Sequence, residues 1–368
     1  MKKSLIALAV LAASGAAMAQ SSVTLYGVAD AFVGTRETSR VTAVGNDLVV
    51  SKQRQAVVDS GGLNSSRWGL RVKEDLGAGL NAFATFESNI DIDNGASSGF
   101  TRQAFVGLGG SFGAVSMGRQ YNEFYLVRGK FLSAQSNSNT FDATNGSTFS
   151  KAQINAIDAY ADAAIPTNAQ ANAAAAALNS RIGRIGAWMG NETRINNSLR
   201  YETPDISGFK AAVVFGLGEN RNLPGNPGSE TRNGSGSLSY ANGPIGVALV
   251  HSTDELTKGF KLKNTAIGGF YDFGVAKAFL SYNQAKYTGL AKQNEWAVGV
   301  RAPIGATTLV AQYAHSKGDD LGKNQSLGLE AQYSLSKRTT AYAGFNQTKL
   351  YDNFAKNNVF GLGMRHTF

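Results

Sequence analysis

Basic side chains share one face of two short alternating segments, and the chemistry that they offer is the attraction of anions. Apolar side chains occupy the other face of both segments. The basic residues are Arg67, Arg71 and Lys73 in residues 66–73, and Arg194 and Arg200 in residues 194–201. Side chains two positions apart lie on the same face of a β-strand. Each segment therefore predicts a strand with one basic and one apolar face.

Catalytic and cofactor chemistry find little support in the sequence. The three histidines, His251, His315 and His366, are far apart, and there is no cysteine. No metal-ligand spacing surrounds the histidines, and no G-x-S-x-G elbow or P-loop is present. The glycines at 107–110 do not match the dinucleotide pattern because Phe112 stands at the third glycine position. We expect no enzyme activity, no catalytic residue, no metal site and no cofactor.

Alternation of apolar with small or polar residues extends over most of the chain and predicts β-strands. Residues 209–217, 295–301 and 327–335 show it clearly. Each segment spans about ten residues, the length of a tilted strand that crosses a lipid bilayer. After the N-terminal region, no segment has the roughly 18 consecutive apolar residues of a membrane helix.

The connections between these segments alternate in length. Seven short connections are predicted near 75–79, 109–114, 203–208, 241–244, 272–275, 302–306 and 335–338. Eight long connections are predicted near 37–65, 90–99, 121–193, 219–233, 253–259, 286–293, 316–324 and 349–358. They would join sixteen antiparallel strands with both termini on one side, which is typical of outer-membrane barrels. A soluble β-sandwich would not show so regular an alternation of loop length.

The N-terminus is typical of an exported protein. Lys2 and Lys3 precede a short apolar stretch, and Ala17-Met18-Ala19 has the form of a cleavage site. The alternative, an N-terminal membrane helix, is disfavoured because the apolar stretch is short. We therefore expect a signal peptide over residues 1–19 and a single barrel domain over residues 20–368.

The C-terminus ends on an alternating, half-apolar strand. Residues 358–368 carry apolar side chains on one face and stop on Phe368. A soluble domain rarely ends in this way, because terminal residues are usually polar. A membrane barrel can, since one face of each strand meets lipid and the other meets the lumen. The apolar faces of the segments above are then expected to face lipid, and Arg67, Arg71 and Lys73 the lumen.

The charge of the chain favours anionic solutes and lipopolysaccharide as partners. Removal of Lys2 and Lys3 with the signal peptide lowers the formal net charge from +9 to +7. The cations are spread singly along alternating segments, whereas a nucleic-acid binder usually clusters them in one patch. We expect no nucleic-acid partner.

The connection at 121–193 differs from all others. It shows no strand pattern, and its part from 150 to 180 is rich in alanine, which favours helix. A loop of this length in a compact domain is usually functional. We expect at least its first part to fold into the lumen and to narrow it, and an external lid is the alternative.

Four segments resemble the Gram-negative general porins, and most closely the trimeric porins of β-proteobacteria. They are SSVTLYGVADAF (21–32), SRWGLRVKEDLGAGLNAFATFE (66–87), TRQAFVGLGGSFGAVSMGRQY (101–121) and INNSLRYETPDISGF (195–209). The resemblance implies an all-β, sixteen-stranded antiparallel transmembrane barrel, a homotrimer and a third loop that folds into the lumen. It also implies passive diffusion of small hydrophilic solutes across the outer membrane.

The same resemblance implies roles for individual residues. It places Arg102 beside Arg67 and Arg200 as a basic wall of the pore, and it turns Tyr26 and Asp30 inward. Loop carboxylates are expected opposite this wall. The candidates are Glu123, Asp142, Asp158 and Asp162. The barrel assembly machinery is expected to read Phe368 as an assembly signal.

The sequence thus predicts an outer-membrane channel that prefers anions. The first alternative is a substrate-specific channel, which would usually show a run of lumen aromatics or a defined polar site. An outer-membrane enzyme would need a Ser/His/acid constellation. An adhesin would need longer outer loops than most of those predicted.

Overall fold

The chain forms one closed antiparallel sheet. The computed structural model describes residues 21–137, 139–144, 156, 159–160, 162–182, 188, 190, 192–218, 232–257, 260–287, 292–318, 322–350 and 352–368. The strands are β1 (Ser22–Val44), β2 (Asp47–Ser60), β3 (Arg67–Gly77), β4 (Leu80–Asn89), β5 (Gln103–Gly110), β6 (Gly113–Tyr121), β7 (Arg194–Glu202), β8 (Phe209–Gly216), β9 (Gly234–Asn242), β10 (Ile245–Thr257), β11 (Phe260–Asp272), β12 (Lys277–Tyr287), β13 (Lys292–Ile304), β14 (Thr307–Gly318), β15 (Gly322–Ser334), β16 (Thr339–Leu350) and β17 (Ala355–Thr367).

These strands occupy sixteen positions around the barrel. On one side, β1 pairs with β17, from Val28–Thr367 to Glu37–Asn358. On its other side, the first part of β1 pairs with β3 and the later part with β2. β2 and β3 therefore follow one another along a single barrel position, interrupted at residues 61–66. The predicted sixteen-stranded closed barrel is confirmed.

The long loop predicted at 37–65 is wrong, because most of this segment is a β-hairpin. β1 and β2 pair as far as Val44 and Asp47, and Gly45 adopts a positive φ of 63° in the turn. The segment is polar enough to read as a loop, but β-branched residues such as Val41 and Val50 favour the extended backbone. Its side chains do not need to be apolar, since the hairpin extends past the neighbouring strands and is largely exposed.

Four more predicted loops are shorter than expected, because strands continue into them. The connections expected at 253–259, 286–293, 316–324 and 349–358 overlap the ends of β10 to β17. The strand ends in these segments carry lysine and amide side chains, so the alternation of apolar with polar residues is not visible there. The strand ladders nonetheless continue through them, for example from Lys286–Lys292 onward between β12 and β13.

The two faces of the barrel wall differ in character. Large apolar side chains such as Leu280, Val298 and Leu362 are exposed on the outer face. The inner face carries small and polar side chains. Aromatic and aliphatic side chains of the connection between β6 and β7 pack on it, among them Phe124, Phe131 and Trp188. The hydrophobic core therefore lies inside the lumen, between this connection and β10 to β14.

Among the described residues of this connection, two helical segments and a π-helical turn are well defined. α1 (Glu123–Val127) starts at Asn122, whose side chain accepts a hydrogen bond of 2.8 Å from the backbone N–H of Phe124. The π-helical turn (Arg128–Leu132) continues from it. α2 (Asn168–Ile182) is the alanine-rich helix and packs against β1 and β2. Neither helix is long and apolar enough to cross a membrane.

Candidate functional site

The segment from 123 to 142 is held against the inner wall by polar side chains of successive strands. Near its start, Ser237 of β9 donates to the Glu123 carboxylate over 3.0 Å. Farther along, the Ser281 hydroxyl of β12 donates to the Leu132 carbonyl oxygen over 2.8 Å. The Arg301 guanidinium of β13 donates to the Ala134 carbonyl oxygen over 2.8 and 3.1 Å. Because its anchors lie on different strands, the segment follows the inner wall around the lumen.

Farther along, the segment approaches β15 and β16 closely. The buried Glu330 carboxylate of β15 accepts from Gln135 over 2.5 Å and from Asn139 over 2.6 Å. Gly328 and Gly344 lie under Phe141, where any side chain at either glycine would collide with its carbonyl oxygen or its ring. Glycine is needed at these two positions because the loop backbone and the wall are in contact.

A cavity of about 640 Å³ remains between the loop segment and the wall. Loop residues between Tyr125 and Asn137 line it together with residues of β3 to β6, β12 and β13. Its cationic lining residues are Arg67, Arg71, Arg102, Lys130, Lys277 and Arg301. Among the described lining residues, Glu87 is the only carboxylate. The cavity therefore has a strong excess of positive charge.

Glu87 is the centre of the hydrogen-bond network on the wall. One of its carboxylate oxygens lies 2.8 Å from Nε of Arg102 and accepts from the Tyr121 hydroxyl over 3.0 Å. The other accepts from the Tyr26 hydroxyl over 3.0 Å and lies 3.4 Å from Nε of Arg67. Glu87 is 3% exposed and Arg102 5% exposed. The carboxylate thus neutralises part of the wall charge and fixes its guanidinium groups.

Arg102 makes further hydrogen bonds that fix the orientation of its guanidinium plane. Its Nη2 donates to Tyr121 over 2.8 Å and its Nη1 to Asn89 over 3.4 Å. Strand alternation alone would point Arg102 outward with Val106, which is exposed on the outer face. It turns inward because it precedes β5, where the alternation has not yet begun, and its backbone N–H bonds to the Glu87 carbonyl oxygen.

Arg71 and Tyr26 form the part of the wall next to this network. The Arg71 guanidinium carbon lies 3.8 Å from the centre of the Tyr26 ring, a cation–π contact. Gly69 pairs in register with Tyr26, and a side chain at this position would collide with the Tyr26 ring. Lys73 is exposed farther along β3 and does not line the cavity.

Arg200 does not join Arg67 and Arg102 in the structure. Its Nε lies 2.5 Å from the Glu123 carboxylate and its Nη2 2.6 Å from that of Glu202. Arg200 is absent from the described lining of the cavity. The expected pairing of a wall arginine with a loop carboxylate is present here, but it fastens the start of α1 to β7.

The remaining predicted residues have other surroundings. Asp142 pairs with Arg128 of the same loop segment. Asp162 is exposed, and Asp158 lies outside the described residues. None of the described loop carboxylates lines the cavity, so the carboxylate beside Arg67 and Arg102 belongs to the wall.

Asp30 points inward but has structural partners. It is fully buried and accepts from the backbone N–H groups of Gly62, Leu63 and Asn64 over 2.8 to 3.0 Å. The Tyr342 hydroxyl donates to it over 2.5 Å. Asp30 therefore fixes the interruption between β2 and β3.

Phe368 closes the barrel at the strand ends. Its backbone exchanges hydrogen bonds of 3.0 and 3.1 Å with Gly27. Its ring covers Gly27, where a side chain would collide with it. Phe368 as a whole is 46% exposed.

Sequence reasoning missed Glu87, Lys130, Lys277 and Arg301. The signal for Arg301 was present, since it alternates with Val298 and Val300 on the opposite face. Glu87 could have been found from register, because it pairs with Gly69 and so shares a face with Arg67 and Arg71. Lys130 lies in a segment without strand alternation, and no pattern in the sequence indicates it.

Comparison with known proteins decides the family of this barrel. Residues 5–353 match the family model of the Gram-negative porins. The chain belongs to this family. The porin is accordingly a channel of the outer membrane and not an enzyme.

Relatives match this porin over nearly its whole length. Outer membrane porin protein 32 of Delftia acidovorans is 34% identical over 363 residues, 93% of this chain and 88% of the relative. An outer membrane porin protein of Bordetella pertussis is 30% identical over 430 residues and 100% of both chains. The solved structure of an anion-selective porin from Comamonas acidovorans has a TM-score of 0.70 at 25% identity, covering 95% of this chain and 100% of that one.

Proposed function

We propose that this porin is a general diffusion channel that prefers anions, and that the basic cavity is its constriction. The observation that carries the proposal is the composition of the lining, six cations to one carboxylate among the described residues. That carboxylate, Glu87, is already paired with Arg102 and Arg67. A narrow, low-dielectric aperture of one charge sign raises the local concentration of the opposite ion.

The cations differ in the part that they take. Arg102 and Arg67 are held by Glu87 and supply a fixed field. Arg71 and Lys130 are more exposed to the cavity, so their charge acts directly on the passing ion. Arg200 fastens the loop segment and contributes to the aperture only through its position. The solved Comamonas acidovorans porin is described as anion-selective, which supports the same preference here.

The assembled protein is a homotrimer in this proposal, with residues 1–19 removed as a signal peptide. The barrel assembly machinery recognises the last strand and Phe368. Lipopolysaccharide surrounds the barrel in the outer leaflet. The resemblance of the chain to the trimeric porins of β-proteobacteria supports the oligomeric state.

Single-channel recording in planar bilayers tests the general-channel proposal. The expected result is a conductance that rises in proportion to KCl concentration, together with uptake of neutral sugars into liposomes. A substrate-specific channel would saturate at low solute concentration and would be blocked by its substrate. Saturation in KCl together with exclusion of small sugars would overturn the proposal.

A further inference from the structure

The lining of the basic cavity also contains an apolar patch. The patch consists of Tyr125 and Leu126 of α1, Ala134 after the π-helical turn, and Phe279 of β12. Leu126 is 37% exposed, although it lines a cavity that is otherwise rich in charge. Apolar surface that stays in contact with water is unfavourable. A solute with an apolar body can cover this patch, whereas a hydrated inorganic ion cannot.

The packing of α1 fixes the position of this patch. Phe124 and Val127 of α1 are buried in the hydrophobic core inside the lumen. The Tyr125 carbonyl oxygen accepts a hydrogen bond of 2.5 Å from the Asn137 side chain. Leu126 lies on the side of α1 away from that core, so it contributes to the cavity lining and not to the core packing.

Cations at the cavity lie over the faces of aromatic rings. The Arg71 guanidinium carbon lies 3.8 Å from the centre of the Tyr26 ring, and Nζ of Lys277 lies 4.3 Å from the centre of the Phe270 ring. The face of an aromatic ring attracts a cation. An aromatic solute offers such a face to the cations of the cavity, and a saturated ring of similar size does not.

Two exposed cations of the lining can bind a carboxylate. Arg71 and Lys130 are both exposed, and no carboxylate of the described residues forms an ion pair with either. Lys130 follows Leu126 by four residues along α1 and the π-helical turn, a spacing that places both on one side of a helix. A positive charge and an apolar contact are therefore adjacent in the lining.

We propose that the constriction prefers aromatic carboxylates among small anions. The ring covers the apolar patch at Leu126, and the carboxylate binds among Lys130, Arg71 and the other cations of the lining. The cavity volume of about 640 Å³ is within the range of small-molecule sites. The preference deepens the proposed function and rests on it, because anions must enter this cavity. Binding is weak enough for release, as conduction requires, so chloride and neutral sugars still pass.

Reversal potentials across planar bilayers test this preference. One side holds KCl, and the other holds the potassium salt of benzoate, cyclohexanecarboxylate or acetate. Each potential gives the permeability of the carboxylate relative to chloride. Because the three carboxylates have the same charge, a general anion preference acts equally on all of them. Benzoate should be about two- to fivefold more permeant than cyclohexanecarboxylate, the effect of one exposed cation–π contact. Benzoate should also exceed acetate, although acetate is smaller.

Substitution of Leu126 tests the apolar contact. Leu126→Asn should lower the permeability of benzoate relative to acetate by about fourfold, the effect of one CH₂-sized apolar contact. Leu126→Ala, which introduces no polar group, should lower the ratio in the same direction. The matched control is Leu335→Asn, at an exposed leucine in the connection between β15 and β16. It should keep the wild-type ratio.

Substitution of Lys130 tests the contact with the aromatic ring. Lys130→Gln should bring the ratio of benzoate to cyclohexanecarboxylate closer to one. Loss of positive charge alone would leave this ratio unchanged, since both anions are monovalent. The control is Lys337→Gln, at an exposed lysine in the connection between β15 and β16, and it should keep the wild-type ratio.

Three results would overturn the proposal. Equal permeability of benzoate and cyclohexanecarboxylate in wild type would exclude recognition of the aromatic ring. A higher permeability of acetate than of benzoate in wild type would indicate selection by size alone. Equal changes in Leu126→Asn and Leu335→Asn would place the apolar contact elsewhere. Failure of the channel proposal is a separate result, because it would appear as potassium preference of wild type in a KCl gradient.

Discussion

Two basic regions of this porin differ in how their charges are held. In the lumen, Arg102 and Arg67 are fixed by the buried Glu87 carboxylate. On the outer face, at the end of the barrel opposite the termini, Lys286 and Lys292 oppose one another in register. No described carboxylate pairs with them. The lumen cations are therefore held by partners within the wall, whereas these outer lysines have no such partner among the described carboxylates.

The choice of side chain follows the same division. The guanidinium group of Arg102 makes several directed bonds at once, to Glu87, Asn89 and Tyr121. Its planar donors suit a fixed network. The lysine ammonium is a compact, strongly hydrated charge on a flexible stem, which suits an exposed position without fixed partners. Positive charge alone therefore does not define a site, and its partners decide what it can do.

Replacement of Glu87 by glutamine should break the hydrogen-bond network in the lumen. Of the substitutions proposed here, it should lower the free energy of unfolding most. Removal of the carboxylate leaves the buried Arg102 guanidinium without its ion-pair partner, which costs about 3–5 kcal/mol in similar buried pairs. The free energy of unfolding in detergent should fall by this amount. Glu74→Gln, at an exposed carboxylate of β3, is the matched control and should change little. Equal effects of the two substitutions would show that Glu87 does not organise the wall.

Exchange of arginine for lysine in the lumen, and of lysine for arginine on the outer face, should change the free energy of unfolding by different amounts. Both changes should be smaller than that of Glu87→Gln. Arg102→Lys keeps the charge but cannot make all the bonds of the guanidinium, so we expect a loss of about 1.5–3 kcal/mol in unfolding free energy. Lys286→Arg on the outer face should stay within about 0.5 kcal/mol of wild type. Similar losses at both positions would mean that the lumen arginines are no more fixed than the outer lysines.

Deletion of residues 168–178 should have the smallest effect on conduction. This part of α2 packs against β1 and β2 and does not line the cavity. Single-channel conductance should therefore equal that of wild type, provided that the folded protein is recovered. An increase in conductance would place the alanine-rich segment in the path of the ions.

The sequence predicted the barrel well because alternation is a local signal that repeats on every strand. It also identified Arg67 and Arg71, whose apolar neighbours on β3 make the inward face clear. It failed where the pairing partner matters more than the local pattern. The hairpin at 37–60 reads as a loop because it is polar, and its pairing with the neighbouring strand decides otherwise.

The contacts within the cavity were less predictable from the sequence than the strands of the barrel. Arg200 has the same inward parity as Arg67 in its own strand, but its partner is the carboxylate at the start of α1. Glu87 became visible only through its register with Gly69. The path of a loop across the lumen depends on long-range contacts such as Arg301 with Ala134, and no local pattern encodes them.

The reversal potential across a KCl gradient tests the central claim most directly. At low salt, where screening is weak, wild type should pass chloride in preference to potassium, and the preference should decline as salt rises. Arg71→Gln with Lys130→Gln should reduce the chloride preference, whereas Lys286→Gln with Lys292→Gln should leave it unchanged. Potassium selectivity in wild type, or an equal change in both double variants, would contradict the assignment of anion preference to the lumen cations.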